Sequence, residues 1–133
     1  MSEYLISAPE AAGMVRRHLA DGNTATAVRM LTEAVARLIE SEGRDVPDAI
    51  LAKPDSTGDA QYDAVLSTAF LYAANLCGIE PPQWTRIAPL DHAYLWGGDG
   101  SESVDYIELI RRATPPEFLE KNILCRPRDW VNR

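Results

Sequence analysis

No charged residue occurs between Asp63 and Glu80. Across this stretch Tyr62, Val65, Leu66, Ala69, Ala73, Leu76 and Cys77 recur at helical spacing, and Phe70, Leu71, Tyr72 and Ala74 carry the apolar stripe almost all the way round. A helix apolar on most faces belongs either in a protein interior or in a bilayer. The uncharged stretch is sixteen residues long and includes Ser67, Thr68 and Asn75. That falls short of the ~20 apolar residues a membrane span needs. The spacing therefore predicts a buried central helix over residues 62–77, stopped by Gly78, with the rest of the chain wrapped around it.

Enough chain is available to do the wrapping. Its 133 residues make one domain of ordinary size, 1–133, that can bury a core without disulfide or metal staples. Hydrophobic residues at 46% and charged residues at 25% are globular values and exclude a disordered chain or a collagen-like repeat.

The flanking segments read as further helices. Ser7 and Glu10 form a capping box with Pro9 in the first turn, which predicts a helix from Ala8 to Asp21 that stops at Gly22-Asn23. Asn23 or Thr24 caps a second helix with Val28, Leu31, Val35, Leu38 and Ile39 on one face and the ion pair Glu33–Arg37 on the other; Gly43 ends it. Val46, Ile50 and Leu51 suggest a short helical turn. Asp55-Ser56-Thr57 offer caps for the central helix. Residues 79–101, with Pro81, Pro82, Pro89 and the turn Gly97-Gly98-Asp99-Gly100, read as a long irregular loop pinned by Trp84, Tyr94, Leu95 and Trp96. Ser101 or Ser103 caps a fourth helix with Val104, Ile107 and Ile110 inward. Thr114-Pro115-Pro116-Glu117 reads as a second capping box, opening a short helix with Phe118 and Leu119. Ile123-Leu124 leads to a docked turn at Pro127-Arg128-Asp129-Trp130. No strand alternation stands out. The expected fold is all-α, about five main helices around 62–77.

Charge is unevenly distributed. The formal net charge is −7, yet residues 111–133 hold six basic and three acidic side chains, leaving seven basic and seventeen acidic in 1–110. An acidic chain repels phosphate, so nucleic acid is not an expected partner of the chain by itself. Two readings of the asymmetry stay open: a solvated surface with cations at helix C-termini, or an acidic body that docks a basic partner.

Candidate chemistry is sparse. His18 reads as a surface residue of the first helix. Asp91-His92 could orient an imidazole as a base, but chain neighbours seldom point the same way. Asp55, Asp59 and Asp63 resemble a carboxylate cluster, although caps and first-turn acids explain them. Cys77 and Cys125 have no ligand partners at metal spacing and read as small buried hydrophobes. The glycine turn lacks the Lys-Ser/Thr of a phosphate loop. No catalytic, metal or cofactor site is expected. Trp84, Trp96 and Trp130 each read as an anchor to the core; any of them left exposed marks a protein interface, with Arg126 and Arg128 beside Trp130. Met1-Ser2-Glu3 opens no signal peptide, and the chain reads as cytoplasmic.

The runs Leu19-Ala20-Asp21-Gly22, Ala27-Val28-Arg29-Met30-Leu31, Thr57-Gly58-Asp59-Ala60-Gln61-Tyr62-Asp63-Ala64-Val65-Leu66, Gly78-Ile79-Glu80-Pro81-Pro82-Gln83-Trp84-Thr85 and Thr114-Pro115-Pro116-Glu117-Phe118-Leu119, in that order, resemble a pattern in actinobacterial proteins. There the helical region follows an Xre-type helix-turn-helix. The resemblance covers roughly residues 15–130 and implies transcriptional regulators, some encoded beside nucleotidyltransferase-like toxins as candidate antitoxins. This sequence departs from the pattern: no helix-turn-helix precedes residue 15, and no basic recognition helix is visible. What carries over is the partner-binding half, with no catalytic residues.

The functional expectations follow. The first is a non-enzymatic interaction module, antitoxin-like, whose protein partner is the product of an adjacent gene. The second is a nucleic-acid regulator using the basic tail of Arg126, Arg128 and Arg133; the third, a small enzyme. A homo-oligomer stays open, and no membrane role is expected.

Overall fold

The computed structural model describes residues 4–131. Met1, Ser2, Glu3 and Arg133, which bear on the leader and tail expectations, lie outside the described residues. Five α-helices form: α1 (Ala8–Ala20), α2 (Thr24–Ser41), α3 (Ala60–Leu76), α4 (Val104–Ala113) and the single turn α5 (Pro116–Leu119). The class is all-α, as expected.

Local chemistry places each helix. Ser7 Oγ accepts from Glu10 N at 3.1 Å and Glu10 Oε1 accepts from Ser7 N at 3.0 Å, closing the capping box of α1. Asn23 caps α2 through Thr26 N. The α2 terminus differs from expectation in one step: Glu42 takes the left-handed position (φ 56°) and Gly43 (φ 81°) follows it. A Cβ on Gly43 would lie 2.5 Å from the Cys77 carbonyl oxygen, so the glycine lets the ends of α2 and α3 approach. Asp59, rather than residues 55–57, caps α3, with its carboxylate accepting from Tyr62 N at 2.9 Å. Ser56 and Thr57 serve a different acid, described below.

α3 is the interior rod. Val65, Ala69, Phe70 and Ala73 are fully buried, and Leu66 and Thr68 nearly or fully so. They share one core with Ala11 and Val15 of α1 and Leu31, Val35 and Leu38 of α2. Leu76, expected inward, is 57% exposed in the last turn of α3. No described helix is long and apolar enough to cross a membrane.

The loop at 79–101 carries more order than expected. A 3-10 turn spans Gln83–Thr85, and the two-residue strands β1 (Tyr94–Leu95) and β2 (Ile123–Leu124) pair in parallel. Leu90 N, Tyr94 N and Trp96 N donate to the carbonyls of Lys121, Asn122 and Leu124 at 2.8–3.0 Å. Strands this short show no alternation for sequence reasoning to find. The tail closes with a 3-10 turn, Pro127–Trp130.

Two expectations near α4 are corrected. Val104 is not inward but 82% exposed; Ile110 alone of the three is buried, with Ile107 half-buried. Thr114 does not cap α5, whose N-cap is Pro115 without a side-chain bond. Its buried hydroxyl lies 2.8 Å from the carbonyls of both Ile110 and Cys125 and accepts from Cys125 N at 3.1 Å. Thr114 thus rivets the end of α4 to the tail, while Glu117 accepts from Asn75 of α3.

Candidate functional site

Five aromatic rings form a column beside α3. Tyr62 meets Trp96 edge-on at 5.6 Å; Trp96 stacks on Trp130 at 5.6 Å, Trp130 on Phe118 at 5.3 Å, and Phe118 tilts onto Tyr72 at 5.3 Å. Such contacts contribute roughly 0.5–1.5 kcal/mol per pair beyond area burial. Trp130 is fully buried, its indole N–H donating to Cys125 Sγ at 3.4 Å. Its role is the anchor one, and it offers no surface to a partner. Trp84 is half-buried, donates to Leu51 O at 2.9 Å and borders a separate hollow above Asp63.

Trp96 and Arg126 do meet at a surface feature. Two hollows, of about 300 and 410 Å³, share Val28, Gly97 and Gly98 and so adjoin along α2, the pair making up a groove with these residues between its two halves. On one side stand Ala25, Tyr62, Tyr94 and Asp99. On the other stand Thr32, Trp96, Glu102, Tyr106, Ile110, Arg126 and Asp129. Apolar side chains share the lining with the carboxylates of Asp99, Glu102 and Asp129 and the guanidinium of Arg126. Arg126 is committed to Asp129, at 3.1 Å from its Nη2, and its Nε is enclosed without a partner among the described residues. No ion pair among the described residues neutralises Asp99 or Glu102.

These two carboxylates hold the glycine turn in place. Glu102 accepts from Asp99 N at 2.9 Å and Gly100 N at 3.1 Å, and Asp99 accepts from Ser101 Oγ at 2.6 Å and Ser101 N at 2.9 Å. The bonds from Ser101 keep the Asp99 carboxyl below its ordinary range. A Cβ on Gly98 would crowd Leu95 Cδ2 at 2.8 Å and the Glu102 carboxylate at 3.1 Å, the ends of two side chains that would have to shift.

The groove opens onto the exposed side of α4. Ser103 caps this helix. Tyr106 and Leu109 lie three residues apart on one face, 39% and 61% exposed, beside the acids Asp105 and Glu108.

The remaining candidates stay apart. His92 is exposed and forms no side-chain hydrogen bond among the described residues; His18 is half-buried on α1. Asp63 accepts from Ser56 Oγ, Thr57 N and Thr57 Oγ1 at 2.6–2.7 Å. Partial burial pushes its carboxyl up, and these bonds outweigh that and hold it low. Burial pushes the Cys125 thiol up to about 12 and also raises Cys77, whose Sγ donates to Leu38 O. Among the described residues no group of three or more His, Cys, Asp or Glu is placed to hold a metal. Arg128 is exposed and does not line the groove.

Sequence reasoning named Trp96 and Arg126 but missed Val28, Tyr106 and Glu102. The available signal was the run Asp99–Leu109, which mixes four acids with Val104, Tyr106 and Leu109 and has no cation before Arg111. Comparison with protein-family models, with curated proteins and with solved structures finds no match to the chain.

Proposed function

We propose that this protein acts by binding, as an interaction module that seats a basic protein partner against its acidic face. One observation carries the reading: α4 presents Tyr106 and Leu109 to solvent inside a segment, 99–109, whose charges are all negative. Exposed apolar side chains rimmed by one sign of charge mark a docking surface for a partner of the opposite sign. The excess of seventeen acidic over seven basic residues in 1–110 extends the same field over the body. The resemblance of residues 15–130 to the region behind Xre-type domains adds a candidate, the product of an adjacent gene, with an antitoxin-like or regulatory accessory role. The basic tail favours nucleic acid less, since Arg126 is taken up by Asp129.

Co-expression of the chain with that gene product, followed by titration of the purified pair, tests the proposal. A stable complex with micromolar or tighter Kd that weakens as salt rises supports it. A chain that stays unbound at micromolar concentrations, or binds without salt dependence, contradicts it.

A further inference from the structure

We infer that the groove along α2 receives a lysine- or arginine-bearing helical segment, with one large apolar side chain entering on each side of the Gly97–Gly98 saddle. The inference rests on the partner-binding reading and names where and what the partner inserts. Val28 lines both hollows, with Tyr62 and Tyr94 beside it in one and Trp96 and Ile110 in the other. Hollows of this size, in which apolar side chains alternate with charged and hydroxyl groups, can take an anchor side chain and pair a charge beside it. Gly97 leaves the saddle bare, with nothing within 4 Å of a Cβ built there, so a second backbone can pass close over it.

Charge selects the occupant. Asp99 and Glu102 flank the saddle without a cation, and Asp105 stands exposed beyond them. Cations on the incoming segment would complete these carboxylates. A second copy of this chain docking groove to groove would bring its own acidic rim against this one, and nucleic acid or an anionic lipid surface would be repelled in the same way.

The probe is a synthetic amphipathic peptide rich in Lys with Trp at positions i and i+4, the spacing of helix-in-groove anchors. It is titrated into the full chain labelled with ¹⁵N. Two control peptides replace both Trp by Ala, or every Lys by Glu. The expected result is saturable shifts centred on the amides of Val28, Gly97, Gly98 and Ile110, with affinity reduced about tenfold or more by either replacement. Thr32→Phe fills one hollow from α2 and should weaken the Trp peptide by about tenfold. Ala25→Trp, at an exposed position bordering the other hollow, should do the same and guards against a Thr32 variant that fails to fold. Equal binding of the Trp and Ala peptides, or shifts centred elsewhere, overturns the groove assignment and leaves the basic-partner reading standing. No binding of the Trp peptide at about 1 mM also overturns it; the co-expression titration then judges the broader reading separately.

Discussion

Two threonines show how one substitution changes sign with its surroundings. Thr68 on α3 is fully buried and its hydroxyl has no hydrogen-bond partner among the described residues. Thr114 is buried with its hydroxyl bonded to three backbone atoms. Thr68→Val removes an unpaid desolvation and should raise stability by about 1 kcal/mol. Thr114→Val strands the Cys125 N–H and should cost about 1–3 kcal/mol. Urea unfolding of both variants checks the pair, and the same sign for both would contradict the assigned environments. Asp63 makes a pH prediction. Its folded carboxyl is held low, so its contribution is complete above the unfolded value of about 4 and fades as pH falls toward the folded one. Wild type should therefore lose stability below about pH 4 more steeply than Asp63→Asn, measured by thermal melts across pH.

At the scale of elements, what the sequence disclosed was what neighbouring residues decide. The α1 box needs only Ser7 and Glu10, and the α3 interior needs only its own uncharged run; both were legible. Features set by distant partners were not. Thr114 carries the signature of a cap, yet Cys125 outcompetes the helix for its hydroxyl. Val104 fits the inward period of α4, but nothing packs over its side of the first turn, and it faces solvent. The groove needs α2, the 94–102 loop and the tail together, so only Trp96 and Arg126 could be named beforehand. The α2–α3 junction yields a test at this scale. Gly43→Ala combines a positive φ with a collision against the Cys77 carbonyl, and should destabilise by more than about 1 kcal/mol. A thermal melt reads this; an unchanged midpoint would mean the two helix ends do not approach as described.

Across the whole molecule, the aromatic column and α3 set the frame, and in the proposed function the surface charges select the partner. Trp130 sits between Trp96 and Phe118, so Trp130→Ala should cost about 3–5 kcal/mol and loosen the groove lining through Trp96. Trp130→Phe should retain most of that stability. The exposed acids contribute little to the fold and much to encounter: Asp105→Lys together with Glu108→Lys should slow association with a basic partner while leaving the melting midpoint within a few degrees.

Hydrogen–deuterium exchange on the full chain, free and mixed with the adjacent-gene product proposed as its partner, addresses the central claim most directly. Slowed exchange should concentrate in residues 24–32 and 94–110, the walls of the groove and α4. Slowing confined to residues 111–131, or no difference between free and mixed samples, would contradict the account.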